Sequence, residues 1–225
     1  MSANPVFVAV DTPDLARAQA LARAVGAHVG GLKLGLEFFM ANGPAGVRAV
    51  AELGLPVFLD VKLHDIPNTV AGALRSLSVL DLAVVNVHAG GGAAMLAAAR
   101  EACPARTKLI AVTVLTSLDD TDMAAMGVGD GAAAQVARLA GLTRAAGLDG
   151  IVCSPHEVAA MKAAWPNGYF VVPGVRPAGA EVGDQKRVMT PRAALDAGAS
   201  MLVIGRPITG AADPAAAAAA IAASL

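Results

Sequence analysis

VFLDVKLHDIPNTVAGALRSLSV, residues 57–79, holds a strand and the helix that follows it, and its reading decides the fold. Residues 57–63 form an apolar run broken only by Asp60 and Lys62. Two positions apart on a strand, those two side chains leave the same face. Asp65 lies just past the run, and Pro67 stops any continuation of the strand. Residues 67–79 then carry a helical pattern. The unit is a buried strand, a charged strand end and a covering helix.

Working outward, the same unit recurs along the chain. Strands are expected at 6–11, 29–35, 57–63, 82–89, 108–115, 150–154, 169–174 and 201–205. Helical patterns separate them at 13–25, 36–52, 67–79, 91–102, 130–146, 155–164, 190–197 and 211–224. Alternation of this kind implies a parallel sheet. Eight units in 225 residues favour a closed (β/α)8 TIM barrel spanning residues 1–225 as a single domain. A doubly wound open sheet is the alternative. It would usually carry a glycine-rich fingerprint after the first strand, where this chain has Asp11-Thr12-Pro13-Asp14.

Composition narrows the function classes. Hydrophobic residues make up 56% and charged residues 16%, which argues against disorder. A formal net charge of −1 gives no electrostatic case for nucleic acid or an anionic membrane. Mean hydropathy is +0.58, yet Gly, Pro or a charge interrupts every apolar run before the roughly 20 residues a spanning helix needs. The N-terminus has no basic region ahead of an apolar one, so no signal peptide is expected. Cys103 and Cys153 form no CxxC pair and read as packing thiols of a reducing cytoplasm.

Polar residues gather where a barrel would use them. Asp11, Lys33, Asp60, Lys62, His88, Thr116, Ser154 and Arg206 all fall at or just past strand ends. In a barrel those ends converge on the catalytic face. Lys62 stands between Asp60 and Asp65 in sequence, and flanking carboxylates favour its charged ammonium form. An ammonium is a poor Schiff-base nucleophile but suits donation of a proton to a basic carbon. Lys33 would complete an alternating set of four charges. A structural ion-pair network is the bland alternative, and a metal held by Asp60, Asp65, Glu37, His64 or His88 is another. A cationic Lys62 would compete with the metal, so none is expected. His64 and His88 read as packing or supporting groups, and His28 and His156 as surface or capping positions.

Residues 173–188, PGVRPAGAEVGDQKRV, form a long Gly- and Pro-rich loop with Arg176, Gln185, Lys186 and Arg187. The last strand ends in Ile204-Gly205-Arg206-Pro207. Loops after strands 7 and 8 commonly hold phosphate in barrels. Gly205 would permit close backbone approach, and Arg206 supplies a guanidinium. The other reading is a solvated basic loop.

DVKLHDIPNT, Asp11-Thr12-Pro13, GLKLG with Lys33, PGVRPAGAEVGDQKRVMTP and the final IGRPIT resemble the orotidine 5′-phosphate decarboxylase family. The resemblance covers essentially the whole chain. It implies decarboxylation of orotidine 5′-monophosphate to UMP without a cofactor, in a cytoplasmic homodimer. By that resemblance Lys62 protonates C6 and Asp60 lies beside the substrate carboxylate, while Lys33 and Asp11 bind the ribose hydroxyls. Asp65 and Thr69 would enter the partner's site. Thr116 would belong to the nucleotide pocket and Ser154 would contact the base. Ile66 and Pro173 would be further substrate-binding residues, and Arg176, Gln185, Gly205 and Arg206 would hold the phosphate. Two rivals remain. Sugar-phosphate decarboxylases or aldolases share an Asp-x-Lys-x-x-Asp run but use Mg²⁺ and an acidic ligand where this chain has Lys33. A non-catalytic nucleotide-binding regulator on the same scaffold is the other.

Overall fold

The computed structural model describes residues 4–177 and 189–225. Eight parallel strands pair in chain order: β1 (Val6–Val10), β2 (Gly31–Leu34), β3 (Val57–Leu63), β4 (Val84–His88), β5 (Lys108–Val112), β6 (Gly150–Val152), β7 (Tyr169–Val172) and β8 (Met201–Ile204). β8 pairs back onto β1, with Phe7 opposite Val203, so the sheet is a closed barrel and the open alternative is excluded.

Around it lie α1 (Leu15–Val25), α2 (Leu36–Ala51), α3 (Pro67–Leu77), α4 (Gly92–Ala102), α5 (Asp120–Ala125), α6 (Gly131–Ala145), α7 (Val158–Ala164), α8 (Pro191–Asp196), α9 (Arg206–Thr209) and α10 (Pro214–Ala223). Local chemistry sets their starts. Asp14, Thr190 and Asp213 cap α1, α8 and α10 by accepting backbone N–H groups, which satisfies donors a helix start leaves open. The short α5 and α9 were not expected from the pattern. The expected continuous helix at 36–52 is kinked, because Gly43 takes a φ of 58° and Pro44 has no N–H to donate.

Two apolar layers follow from strand alternation. Val8, Leu32, Leu59, Val85, Leu109 and Leu202 face outward and pack under the helices. Phe7, Ala9, Phe58, Val84, Ile110, Val171, Met201 and Val203 fill the barrel interior. Register places the polar groups relative to that inner layer. Lys33 lies between Ala9 and Phe58 on neighbouring strands and therefore points inward. Asp60 is two residues beyond Phe58 and Asn86 two beyond Val84, one layer nearer the strand ends.

β3 is not regular to its end. Its pairing with β4 shifts register between Leu59 and Leu63, and Lys62 takes a φ of 49°. Among the described residues it is the one non-glycine with positive φ. Such a backbone costs an ordinary L-residue about 1–2 kcal/mol. Bulges of this kind re-aim a side chain.

Candidate active site

At the C-terminal ends of the strands the charges alternate in space. Lys33 Nζ lies 3.1 Å from Asp11 Oδ1 and 3.4 Å from Asp60 Oδ2. Lys62 Nζ donates to Asp60 Oδ1 at 2.7 Å, and Asn86 Nδ2 reaches the same oxygen at 2.7 Å. One sequence expectation needs correction here. Lys33, not Lys62, is the cation held between two carboxylates. Asp65 turns away, and its Oδ1 accepts the Ile66 N–H at 2.6 Å. Asp60 and Lys62 do meet, as alternation predicts, but a bulged backbone brings them together rather than a regular strand.

Burial by itself would raise the pKa of the Asp60 carboxyl. Lys33, Lys62 and the Asn86 amide outweigh that and hold it below the usual carboxylate range. The carboxylate is therefore ionised, hydrogen-bonded by two donors and ion-paired with Lys33.

A cavity of about 180 Å³ opens beside this array. Lys33, Asp60 and Lys62 line it on the charged side, and Phe58, Val112, Val114, Val152, Val171 and Val203 on the apolar side. Thr116 and Pro173 also line it, as does the half-exposed Leu115. The apolar wall lowers the local dielectric on that side, which strengthens the field of the ammonium groups.

The remaining expected residues divide by position. Ser154 is fully buried, its N–H bonds Glu157 Oε2 at 2.8 Å, and its Oγ has no hydrogen-bond partner among the described residues. It is not among the side chains lining the cavity. Arg176 is buried after β7, with its Nη1 donating to the Val175 carbonyl at 2.9 Å. Gly205 precedes α9, and Arg206 is exposed on its first turn. A Cβ on Gly205 would meet only Ala9 Cβ, at 3.5 Å, so the protein itself leaves room there. Asp65, Ile66 and Thr69 form an exposed ledge at the start of α3. Gln185, Lys186 and Arg187 lie outside the described residues.

The histidines have supporting geometry. His64 and His88 stack with ring centroids 5.1 Å apart. Burial, then the neighbouring His64 and Lys62, push the His88 pKa down, and its Nδ1 accepts the Gly90 N–H at 3.2 Å. Among the described residues no three His, Cys, Asp or Glu side chains gather as a metal cluster. Cys103 and Cys153 are buried free thiols, and burial pushes the Cys103 pKa up, away from reactivity.

Two residues of the site went unread in the sequence. Asn86, inside VVNVH, gave one detectable signal: an amide at an inward position of an apolar strand. Gly35 gave none. A Cβ there would stand 2.9 Å from Asp11 Oδ1 and 3.0 Å from Lys33 Nζ, so the bare backbone leaves the ion pair its place.

Comparison with known proteins places the chain in a family. Residues 4–221 match the model of the Orotidine 5′-phosphate decarboxylase / HUMPS family. An orotidine 5′-phosphate decarboxylase of Novosphingobium aromaticivorans is 64% identical over 222 residues, covering 99% of both chains. That of Rhodospirillum rubrum is 54% identical over 97% of this chain and 92% of its own. The crystal structure of orotidine 5′-phosphate decarboxylase from Lactobacillus acidophilus superposes with a TM-score of 0.85 at 35% identity, covering 97% of each chain. With a closed barrel, an Asp-Lys-Asp-Lys array at its mouth and matches of this length, the chain belongs to the orotidine 5′-phosphate decarboxylase / HUMPS family.

Proposed function

We propose that this chain decarboxylates orotidine 5′-monophosphate to UMP and CO₂ in de novo pyrimidine synthesis, with Lys62 as the proton donor. The observation that carries the reading is the Lys62 ammonium, held 2.7 Å from the ionised Asp60 at the wall of a largely apolar cavity. The bond from C6 to the carboxylate breaks with its electron pair left on C6. CO₂ departs, and an ammonium proton of Lys62 passes to that carbon. The C6 carbanion has no adjacent carbonyl to delocalise into, so electrostatic stabilisation must supply the catalysis. A cation fixed before reaction does this without reorganisation. The chemistry asks for no cofactor.

The other roles follow the same reading. Asp60 lies beside the substrate carboxylate. Lys33 and Asp11 hold the ribose hydroxyls, Thr116 and Pro173 line the nucleotide pocket, and Ser154, which does not line the cavity in this structure, would contact the base. Arg176, Gln185, Gly205 and Arg206 take the phosphate, whose binding energy helps organise the reacting end. Asp65 and Thr69 serve the site of a second copy in a homodimer, and Ile66 binds substrate. The protein works in the cytoplasm, and among the described residues no helix is long and apolar enough to cross a membrane.

The deciding assay incubates chelator-treated protein with orotidine 5′-monophosphate and follows UMP and CO₂. Turnover without added metal supports the proposal, and no turnover sinks it. Turnover regained only with Mg²⁺ would favour the sugar-phosphate chemistry of the same family, although Lys33 stands where those enzymes need an acidic ligand.

A further inference from the structure

We infer that Asn86 is a positioning residue, whose one side chain holds the Lys62 backbone in its left-handed conformation and fixes the carboxylate that receives the Lys62 ammonium. The inference rests on the reading of Lys62 as proton donor.

Asn86 is completely buried on β4 and points into the barrel. Its amide is used in both senses. Oδ1 accepts the Lys62 backbone N–H at 2.8 Å, and Nδ2 donates to Asp60 Oδ1 at 2.7 Å. The bulge in β3 takes Lys62 out of the regular ladder with β4, so its part-buried N–H needs another acceptor. Asn86 supplies it at the one described non-glycine residue with a positive φ. The same side chain reaches the oxygen that Lys62 Nζ contacts at 2.7 Å. Both ends of Lys62 are thus tied to a single amide, the backbone directly and the ammonium through Asp60. A side chain of this length must offer an acceptor and a donor together. Aspartate keeps only acceptors when ionised, and alanine has neither. The titratable groups facing this point are Asp60 and Lys62 from β3, Lys33 from β2 and His88 from β4, whose ring is electrostatically coupled to Lys62, with Asp11 beyond β1 behind Lys33.

The test compares full-length parent, Asn86→Ala, Asn86→Asp and Lys62→Ala for turnover of orotidine 5′-monophosphate across pH, with UMP binding by calorimetry. Misplacing a reacting group by about 1 Å costs on the order of 100-fold in rate, so kcat of Asn86→Ala is expected to fall about 100-fold while KM stays within a few-fold. The acid limb of kcat should also move to higher pH, because Asp60 loses a donor bonded to its ionised form. Asn86→Asp sets a second carboxylate against Asp60 and should move that limb further. It is nearly isosteric and carries the test if Asn86→Ala does not bind UMP. Near-parental kcat with an unmoved acid limb in both variants overturns the inference, as does a fall in kcat with no movement of that limb in either. Lys62→Ala separates the two ideas. If it is inactive beside an unaffected Asn86→Ala, the positioning role alone fails. If it keeps near-parental turnover, the proton-donor reading fails and takes this inference with it.

Discussion

The twelve residues from Phe58 to Thr69 hold two regions that differ in how far the chain satisfies them. Asp60 and Lys62 lie inside the barrel mouth, where Lys33 and Asn86 complete their contacts. Asp65, Ile66 and Thr69 sit a few residues later on open surface, with Ile66 68% exposed and no cation within ion-pair reach of Asp65 among the described residues. The first region is organised by its own fold before any ligand arrives. The second is left open to solvent, and the proposed homodimer would cover it. The difference teaches that a motif continuous in sequence can be divided in space, one half lining the chain's own cavity and the other left on its surface.

The most severe disturbance of the inner half is Lys62→Ala. Removing a general acid costs about 10²–10⁴-fold, so turnover should fall toward the lower end of detection while calorimetry still finds UMP bound. The division itself is open to a mixing experiment. Asp65→Ala should be nearly inactive alone. If Asp65 serves the partner's site, mixing it with Lys62→Ala gives mixed dimers with one intact site, and about a quarter of parental activity should return after subunit exchange. Two inactive variants that stay inactive together would place Asp65 at its own chain's site and erase the contrast.

Asp60→Asn tests how far the inner region is self-satisfied. Two cations lose their shared counter-charge, and breaking a buried pair costs about 3 kcal/mol, to be read as a lower midpoint of thermal unfolding at neutral pH. Because the folded Asp60 carboxyl titrates below its ordinary range, its contribution is full above about pH 4 and is lost as pH falls through the lower folded value. The gap between parent and variant should therefore narrow below about pH 4. A gap unchanged across that window would contradict the ionised, donor-rich Asp60. Gly35→Ala is the mildest probe. Gly35 has extended backbone (φ −91°) that alanine adopts freely, so only the crowding of Asp11 and Lys33 should register. We expect KM to rise about fivefold, close to 1 kcal/mol of binding, with kcat unchanged.

The barrel was legible because buried parallel strands read as unbroken apolar runs, and all eight are in place. Their ends were less so. Residues 113–115 and 173–174 look like strand but lie past β5 and β7, where the chain turns into loops that line the cavity. α5 and α9 are too short for a helical period to register, and the kink at Gly43 lies inside an otherwise good helical pattern. In the site, charges at strand ends announced themselves. The Lys62 bulge did not, because register shifts arise between strands and leave no mark within one. Asn86 and Gly35 act through what they touch across the barrel, which no spacing along the chain encodes.

Closure also carries a consequence for how the chain acquires its shape. β1 (Val6–Val10) is made before the other seven strands, yet one of its two neighbours, β8 (Met201–Ile204), is the last of the eight. Until then β1 presents an unpaired edge, and β7 does the same on the other side of the gap. Contacts of such long sequence separation pay their loop-closure entropy late, which slows folding and lengthens exposure to aggregation. The seam between β1 and β8 is thus where haste in synthesis, or a chaperone's hold on the nascent chain, would be felt first.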